Sequence, residues 1–444
     1  MSEQPKRVTR QKTARVPDGR GERIVRLAGL LAGIAGESAL EVLRRAAGAG
    51  ERDGSLLMTS ANALRLTETL ADLRGAAMKL GQLLSLQGEG MLPPRLREAL
   101  AQLQNHAHFM PEAQVRQVLT REFGRDWKRR FAEFDFEPLA AASIGQVHAA
   151  TASDGRDLAL KLQYPGVERS IDGDVDNLAL LLRALRLVPA GLDLDAVIPE
   201  LKEELRREAD YAREARSQEQ YRELVGADPG VLVPRVHADL STRRVLASDR
   251  VRALPIEDLR SPEHPQSRRD EVGTKLLRLV FRELFEFRFV QTDPNFANYL
   301  FEPKQERVAL LDFGAVRSFS KHFTSRYSEL ITATIAKDTD AVEELANALG
   351  LLRGDEAPEA RAAFARLCER VAEPLRAAAP YDFAASQLAR EVRELGIEAY
   401  TRRGLHAPST ELIFLHRKLA GTYLLLAHIG ARVDCAAVFE EFAR

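Results

Sequence analysis

The stretch QTDPNFANYLFEPKQERVALLDFG, Gln291–Gly314, contains two short polar motifs separated by two apolar runs. Asp293 and Asn298 stand five positions apart near its start, and Asp312 opens an Asp-Phe-Gly tripeptide at its end. Asp, Asn and Gly are also ordinary turn residues, so either motif alone is weak evidence for a site. The residues between the motifs decide the interpretation.

These intervening residues are predicted to form a hairpin. Residues 296–301 and 308–311 have the composition of short strands, and a polar turn joins them. The pairing brings Asn298 and Asp312 together, as two ligands of magnesium require. In kinases, an Asp-x-x-x-x-Asn loop and an Asp-Phe-Gly segment hold Mg²⁺ on the nucleotide phosphates. The stretch therefore predicts nucleotide chemistry, with Asp293 as the catalytic residue that orients the acceptor.

A lysine that neutralises the phosphates is expected on an upstream strand. Lys161 lies in Leu-Ala-Leu-Lys-Leu-Gln, residues 158–163, which corresponds to the Val-Ala-Ile-Lys pattern of kinases. A solvated strand lysine is the simpler alternative. The apolar neighbours of Lys161 and the turn at residues 153–156 favour the functional role.

The segment that would cover the phosphates is rich in alanine. Residues 139–148 read LAAASIGQVH, so Gly145 is the single glycine where a kinase carries G-x-G-x-x-G. Alanine restricts positive φ, and a stiffer loop that binds nucleotide differently is expected. An alanine-rich loop or helix start without a ligand is the open alternative. The ATP-binding candidates here are Ala140, Ala141, Ala142 and Ser143.

Several motifs together resemble the UbiB family of atypical kinase-like proteins. The resemblance runs from about residue 70 to the C-terminus in consistent order, and it looks closest to the branch with the mitochondrial coenzyme Q proteins. It implies an α+β, two-lobed protein-kinase-like fold with an N-terminal helical extension packed over the active site. The matching positions are the alanine-rich residues 140–148, Lys161 with the following Gln-Tyr-Pro-Gly-Val, residues 208–215, the Lys-x-Gly-Gln of residues 79–82, and Asp293, Asn298 and Asp312.

The resemblance assigns Glu214 as the partner of Lys161. A helix is predicted over residues 200–221 from its apolar spacing. In a regular helix Asp210 and Glu214 share a face, whereas Glu208 points elsewhere. The alternative is that all three carboxylates are solvated surface charges.

The family's Lys-x-Gly-Gln motif corresponds to Lys79, Gly81 and Gln82, in a helix predicted over residues 64–86. We expect this helix to lie close to the carboxylates of the Glu-x-Asp motif that begins at Glu208. In the UbiB family it covers the place where a protein substrate would dock. A solvated lysine on an ordinary helix is the alternative.

The chain after the Asp-Phe-Gly tripeptide also differs from that of a protein kinase. A helix is predicted from the N-cap Ser320 to Ala336, which leaves too little chain for a regulated activation loop. A small molecule, a lipid or water is therefore a more natural acceptor than a protein. Gln291 and Thr292 replace the usual His-Arg before Asp293, so the usual support of the catalytic loop is expected to be absent.

Four parts are predicted along the chain. Backbone groups of Asp249 and Val251 are expected to face adenine at a hinge between two lobes. The parts are a basic arm with a short amphipathic helix at residues 1–50, a helical extension at 51–125, a kinase-like N-lobe at 126–252 and a helical kinase-like C-lobe at 253–444.

Composition is that of a folded, cytoplasmic protein without a bias toward nucleic acid. The 444 residues are 45% hydrophobic and 29% charged, with a formal net charge of -1, and two cysteines do not make a disulfide framework. Residues 1–26 carry eight basic and three acidic side chains and precede the uncharged segment at residues 27–35. This arm is expected to dock reversibly on an anionic membrane, or else to be a disordered tail. Residues 419–431 are expected to form a core helix.

Three functions remain open from the sequence. The first is a UbiB-like ATPase or small-molecule kinase that uses ATP and Mg²⁺ in ubiquinone biosynthesis, with prenyl-quinone precursor lipids or other ubiquinone-biosynthesis proteins as partners. The second is a nucleotide-gated lipid-binding or scaffold protein. The third is an antibiotic-type phosphotransferase, which does not explain the Lys-x-Gly-Gln motif.

Overall fold

The computed structural model of the chain describes residues 75–77, 79–80, 109–184, 188, 194–406 and 408–443. These residues group into two units. The first contains the described residues up to Arg213 and the segment His237–Arg250. The second contains Glu214–Val236 and the described residues from Val251 onward. Each unit is thus assembled from two separate segments of the chain.

Strands and helices alternate irregularly along this part of the chain. The strands are β1 Phe131–Ala141, β2 Gly145–Ala152, β3 Asp157–Gln163, β4 Val231–Leu232, β5 Val245–Asp249, β6 Leu254–Pro255, β7 Phe289–Gln291, β8 Tyr299–Glu302, β9 Arg307–Leu310, β10 Val316–Ser318, β11 Tyr381–Asp382 and β12 Arg432–Val433. The α-helices are α1 Glu112–Phe123, α2 Val167–Ala184, α3 Leu194–Glu208, α4 Tyr211–Val225, α5 Gln266–Phe281, α6 Lys321–Ala336, α7 Thr339–Ala348, α8 Pro358–Val371, α9 Glu373–Arg376, α10 Leu388–Ile397, α11 Thr410–Ile429 and α12 Cys435–Glu440.

The first unit is built on an antiparallel sheet with the strand order β1-β2-β3-β5. Along β3, Leu158, Leu160 and Leu162 are fully buried, whereas Lys161 is half-buried. Successive side chains of a strand point to opposite faces, so the apolar residues enter the core and the lysine does not. Neighbouring strands on both sides hold the backbone of Lys161 in place.

The second unit is mainly helical and contains a sheet with the order β4-β9-β8-β6 and a two-stranded ribbon of β7 and β10. Tyr221, Phe301 and Phe313 are fully buried in its core. The predicted hairpin is confirmed, because β8 and β9 pair antiparallel from Tyr299 opposite Leu310. The combination of helices with mostly antiparallel sheets confirms the α+β class.

The structure corrects the helix predicted over residues 200–221. The chain forms two helices, α3 and α4, which are separated by Ala209 and Asp210. The Asp210 carboxylate accepts a hydrogen bond from the backbone N–H of Arg213 at 3.1 Å. An Asp side chain satisfies the first amide groups of a helix well, so Asp210 begins a new helix and does not continue the old one.

Two further predictions concern residues beside the hairpin. Residues 296–298, predicted as strand, instead form a 3₁₀ turn that begins where the Asn295 side chain accepts from the backbone N–H of Ala297. Residues 139–148, for which a loop or helix start was the alternative, form the end of β1, a tight turn and the start of β2. The alanine side chains thus lie in a β-hairpin.

Two helices of the C-terminal part were predicted, one from Ser320 to Ala336 and one over residues 419–431, and the second begins earlier, at Thr410, and ends at Ile429. The hydroxyl of Ser320 accepts from the backbone N–H of Phe323 and begins α6, which ends at Ala336 as predicted. Residues 419–429 belong to α11, and Leu425, Leu426 and Ile429 of this helix are buried in the core. Among the described helices, none combines the length and the hydropathy that crossing a bilayer requires.

Candidate active site

Asp293 carries a hydrogen-bond donor on each carboxylate oxygen. Arg417 Nη2 donates to Asp293 Oδ1 at 2.7 Å, and Asn298 Nδ2 donates to Asp293 Oδ2 at 3.1 Å. The side chains of Arg417 and Asp293 are 6% and 16% exposed. A buried guanidinium beside a nearly buried carboxylate is a strong interaction, and it fixes the direction of the carboxylate.

The hairpin places Asn298 and Asp312 at its open end. The backbone N–H of Leu311 donates to the carbonyl of Asn298 at 3.0 Å, so the residue before Asp312 lies directly against Asn298. The Asp312 carboxylate accepts from the backbone N–H of Gly314 at 2.9 Å. Because the Asn298 amide nitrogen faces Asp293, its oxygen is the atom left to bind a cation. An amide oxygen and a carboxylate are a donor set that Mg²⁺ accepts.

The Asp-Phe-Gly tripeptide is fixed by packing on both sides. The ring of Phe313 is fully buried, with its centroid 4.9 Å from that of Tyr221. Glu214 is 1% exposed, and its Oε2 lies 3.7 Å from the position that a Cβ on Gly314 would take. Glu214 is therefore a buried carboxylate beside this tripeptide, not a solvated surface charge. Its pairing with Lys161 stays a prediction.

Lys161 occupies the centre of the first unit's sheet. Its Nζ lies 5.1 Å from the ring centroid of Tyr211, which is fully buried at the start of α4. A lysine over a tyrosine ring gains a cation–π interaction. The half-buried position suits a lysine that meets an anionic ligand, and its role with phosphate stays a prediction.

The turn after β1 explains why Gly145 is a glycine. A Cβ at this position would lie 2.3 Å from the carbonyl oxygen of Leu162 and 2.7 Å from the hydroxyl of Tyr211. The backbone of β2 therefore approaches β3 too closely for any side chain. The turn closes through a hydrogen bond from the N–H of Ala142 to the carbonyl of Gly145 at 2.8 Å. Nucleotide binding by Ala140, Ala141 and Ala142 stays a prediction.

Lys79 of the Lys-x-Gly-Gln motif contacts Glu208, as the sequence predicted for these two motifs. Its Nζ lies 3.5 Å from Glu208 Oε2, and the hydroxyl of Ser143 donates to Glu208 Oε1. Glu208 is the last residue of α3. Gly81 and Gln82 lie outside the described residues.

The hinge candidates lie at the end of β5. Asp249 pairs with Leu158 of β3, and its carboxylate is 2.7 Å from His237 Nε2. The opposite ring nitrogen of His237 is 2.9 Å from Arg156 Nη1. The side chain of Asp249 is therefore engaged, which leaves its backbone as the part able to meet a base. The adenine contacts of Asp249 and Val251 stay a prediction.

Sequence reasoning missed the buried polar groups behind the catalytic loop. The usual His-Arg support of the loop is replaced by Gln291, whose Nε2 donates to the backbone oxygens of Asp293 and Asp312. Lys418 Nζ lies 3.1 Å from Glu283 Oε2, and both side chains are almost fully buried. The available signal was the pair Arg417-Lys418 in the mainly apolar helix α11.

Comparison with known proteins places these features in a family. Residues 102–346 match the model of the ABC1 atypical kinase-like domain, which is more than half of the chain. The chain is 38% identical over 440 residues to a rat protein named atypical kinase COQ8B, mitochondrial, and covers 83% of that protein. It is 37% identical over 434 residues to the Saccharomyces cerevisiae atypical kinase COQ8, mitochondrial, and covers 86% of it. These alignments span 98% and 97% of this chain.

A solved structure supports the same assignment. A Mycobacterium tuberculosis protein, determined in complex with erythromycin, has a TM-score of 0.62 and 28% sequence identity to this chain. The match covers 87% of this chain and 97% of that protein. The kinase-like fold that the motifs indicated is thereby confirmed. The chain belongs to the UbiB family of atypical kinases, whose members carry the ABC1 atypical kinase-like domain.

Proposed function

We propose that this protein binds ATP with magnesium and transfers or hydrolyses the terminal phosphoryl group in support of ubiquinone biosynthesis at a membrane. The observation that carries the proposal is Asp293, held by Arg417 and Asn298 beside Asp312. Asn298 and Asp312 would bind the metal, and Asp293 would orient the acceptor. Lys161, fixed by Glu214, would bind the phosphates. The nucleotide would lie against the alanine turn, residues 140–142, and against Ser143, Asp249 and Val251.

Magnesium would supply charge neutralisation on the phosphates, and the protein's own groups would position the reactants. Phosphoryl transfer through a loose transition state asks little of a base. A carboxylate with a donor on each oxygen is held in one orientation, so Asp293 would position the hydroxyl of a small acceptor or a water molecule. The Lys79–Glu208 contact would act as a regulatory element beside Ser143.

The resemblance to the UbiB family supports the proposed ubiquinone role, and so do the relatives, which are named atypical kinase COQ8B, mitochondrial, and atypical kinase COQ8, mitochondrial. We infer a protein that acts from the cytoplasmic side and touches the membrane peripherally through its basic N-terminal arm. The partners would be prenyl-quinone precursor lipids or other ubiquinone-biosynthesis proteins. The four predicted parts of the chain, including the helical extension over the active site, belong to the same proposal.

A variant of Asp312 tests the phosphoryl chemistry. We expect wild-type protein to hydrolyse ATP only with magnesium and Asp312→Asn to lose at least about 100-fold in kcat, because the variant removes a charged metal ligand. Asp340→Asn, an exposed residue of α7, is the matched control and should keep the wild-type rate. Equal rates in wild type and Asp312→Asn would contradict the mechanism.

Gene deletion tests the cellular role. Loss of the gene should lower ubiquinone, and a Lys161→Met gene should fail to restore it. The second candidate, a nucleotide-gated lipid-binding or scaffold protein, is favoured by the Lys79–Glu208 contact beside the alanine turn. Binding of ATP and of a prenylated phenol without turnover, even with anionic vesicles present, would support that alternative.

A further inference from the structure

Gln291 lies where the catalytic loop meets the Asp-Phe-Gly segment. Its side-chain nitrogen Nε2 donates to the backbone oxygen of Asp293 at 2.9 Å and to that of Asp312 at 3.3 Å. A primary amide carries two N–H groups, so one side chain satisfies both carbonyls. These carbonyls belong to the residues proposed to orient the acceptor and to hold the metal.

Lys418 fixes the other end of the Gln291 amide. Its Nζ donates to Gln291 Oε1 at 3.2 Å and to the hydroxyl of Tyr299 at 3.0 Å, and it lies 3.1 Å from Glu283. An ammonium group only donates and a carbonyl oxygen only accepts, so the Gln291 amide fits in one orientation. Glu283 also accepts from the backbone N–H of Gln291 at 3.2 Å.

The burial of this group shows that it is not a surface ion pair. Gln291 and Lys418 are each 1% exposed, and Glu283 is fully buried. Burial acts to lower the pKa of Lys418, but Glu283 and Tyr299 outweigh it and hold this pKa above its usual value. A buried ion pair is often no more stabilising than well-packed apolar side chains. Stability alone is therefore a weak reason for charges at this position.

We propose that Gln291 is a positioning residue that sets the spacing between Asp293 and Asp312, with its amide held by the buried pair Lys418–Glu283. The inference rests on the proposed function, since it assigns Gln291 to the geometry of the magnesium site. A glutamine stands here where protein kinases carry the histidine of their catalytic loop. An amide does not titrate, so this link between the two segments keeps one charge state at every physiological pH.

The test compares two buried glutamines in the full-length chain. Gln291→Met keeps the approximate volume and removes both N–H donors. Gln218→Met is the matched control, because Gln218 is also 1% exposed and donates to the carbonyl of Pro234 at 2.7 Å in the same unit. Gln291→His retains one donor. Each variant is measured for urea unfolding and for the magnesium concentration that half-saturates binding of a fluorescent ATP analogue.

Both methionine variants should lose stability, but only Gln291→Met should weaken the apparent magnesium affinity, by about 10-fold to 100-fold, as loss of a group that orients metal ligands does. Gln291→His should fall between Gln291→Met and wild type. The binding of the analogue without magnesium should change little. This separation distinguishes a positioning role from general destabilisation.

Three results would overturn the inference. They are wild-type magnesium affinity in Gln291→Met, an equal loss of affinity in Gln218→Met, and, if Gln291→Met does not fold, wild-type affinity in Gln291→His. In each case Asp312→Asn still reports on the proposed function separately. A wild-type protein that binds the analogue without any effect of magnesium would instead contradict the proposed function itself.

Discussion

Arg417 Nη2 lies 2.7 Å from Asp293 Oδ1, although the two residues are 124 positions apart in the chain. Arg417 comes from the buried side of α11, and Asp293 comes from the loop after β7. Pro294, Asn295 and Phe296 follow Asp293 in the chain, so the next positions of the loop carry no cation. A distant helix thus provides the counterion of the proposed acceptor-orienting carboxylate.

Replacing Arg417 should therefore affect turnover more than nucleotide binding. We expect Arg417→Met to lower kcat for ATP hydrolysis by about 100-fold, because Asp293 loses the donor that fixes its direction, while KM for ATP changes little. Arg417→Lys should recover part of the rate, since it keeps the charge without the planar fork. Steady-state kinetics with magnesium in excess measure both constants.

The control for this variant is Arg326→Met, which removes an exposed ion pair with Glu329 on α6. Exposed pairs contribute little, so this variant should match wild type in rate and stability. A wild-type kcat in Arg417→Met would show that Asp293 needs no counterion for the reaction.

A methyl group added at Gly421 of α11 should also lower both stability and turnover. A Cβ on Gly421 would lie 2.2 Å from the Cβ of Pro294, the residue after Asp293. Gly421→Ala must shift either the helix or the catalytic loop, and overpacking of this kind costs about 1–3 kcal/mol of unfolding free energy. We expect kcat to fall by at least about 10-fold in the same variant.

Gly396 provides the matched glycine for that comparison. It lies in α10, and a Cβ there would contact nothing within 4 Å. Gly396→Ala should raise the free energy of unfolding by about 0.5–1 kcal/mol, because alanine loses less backbone entropy in a helix. Urea unfolding and ATP turnover are measured for Gly421→Ala and Gly396→Ala to compare their effects on stability and kcat. Unchanged kcat in Gly421→Ala would mean that the loop tolerates displacement.

The contact between Lys79 and Glu208 can be measured with a double-mutant cycle. Lys79 is 5% exposed, so removing either charge deprives a largely buried partner of this ion pair. We expect Lys79→Met and Glu208→Gln each to lower the free energy of unfolding by about 1–3 kcal/mol. The double variant should lose less than the sum, with a coupling energy of about 0.5 kcal/mol or more. Strict additivity would show that the pair does not interact in solution.

His148 predicts a pH dependence of stability. It is fully buried, with Nδ1 2.8 Å from the carbonyl of Asp135 and Nε2 2.7 Å from Gln146 Nε2. Gln146 Oε1 accepts from the N–H of Met110 at 2.7 Å, so its nitrogen faces His148 as a donor. Burial disfavours the charged ring and lowers the pKa of His148. Only the neutral ring can accept the bond from Gln146.

The lowered pKa of His148 determines the direction in which stability changes with pH. The unfolded chain binds a proton at His148 below about pH 6.5, while the folded chain does not. The contribution of neutral His148 to the free energy of unfolding is therefore fully present above that pH and is lost as the pH falls. The free energy of unfolding decreases with a slope of up to about 1.4 kcal/mol per pH unit. His148→Gln should show a smaller slope between pH 6.5 and 5 in urea unfolding. An identical slope would exclude His148 as the group responsible.

Local patterns predicted much of the fold and of the candidate site. The hairpin between Asn298 and Asp312, the helix from Ser320 to Ala336 and the strand that carries Lys161 all follow from residues close together in the chain. Side-chain periodicity and capping act within a few residues, so the sequence encodes them directly. The helix predicted through Asp210 failed because a capping carboxylate overrode the apolar spacing around it.

The amino-acid sequence by itself determined which chemistry is available: carboxylates, an amide and a lysine at the spacings of a kinase. Tertiary structure alone decided what surrounds them. Arg417, Lys418 and Gly421 reach the loop of Asp293 and Pro294 from a helix more than a hundred residues away, and no local pattern encodes such a contact. Hydrogen bonding and close packing between distant segments depend on the folded chain, and they set the geometry of these groups.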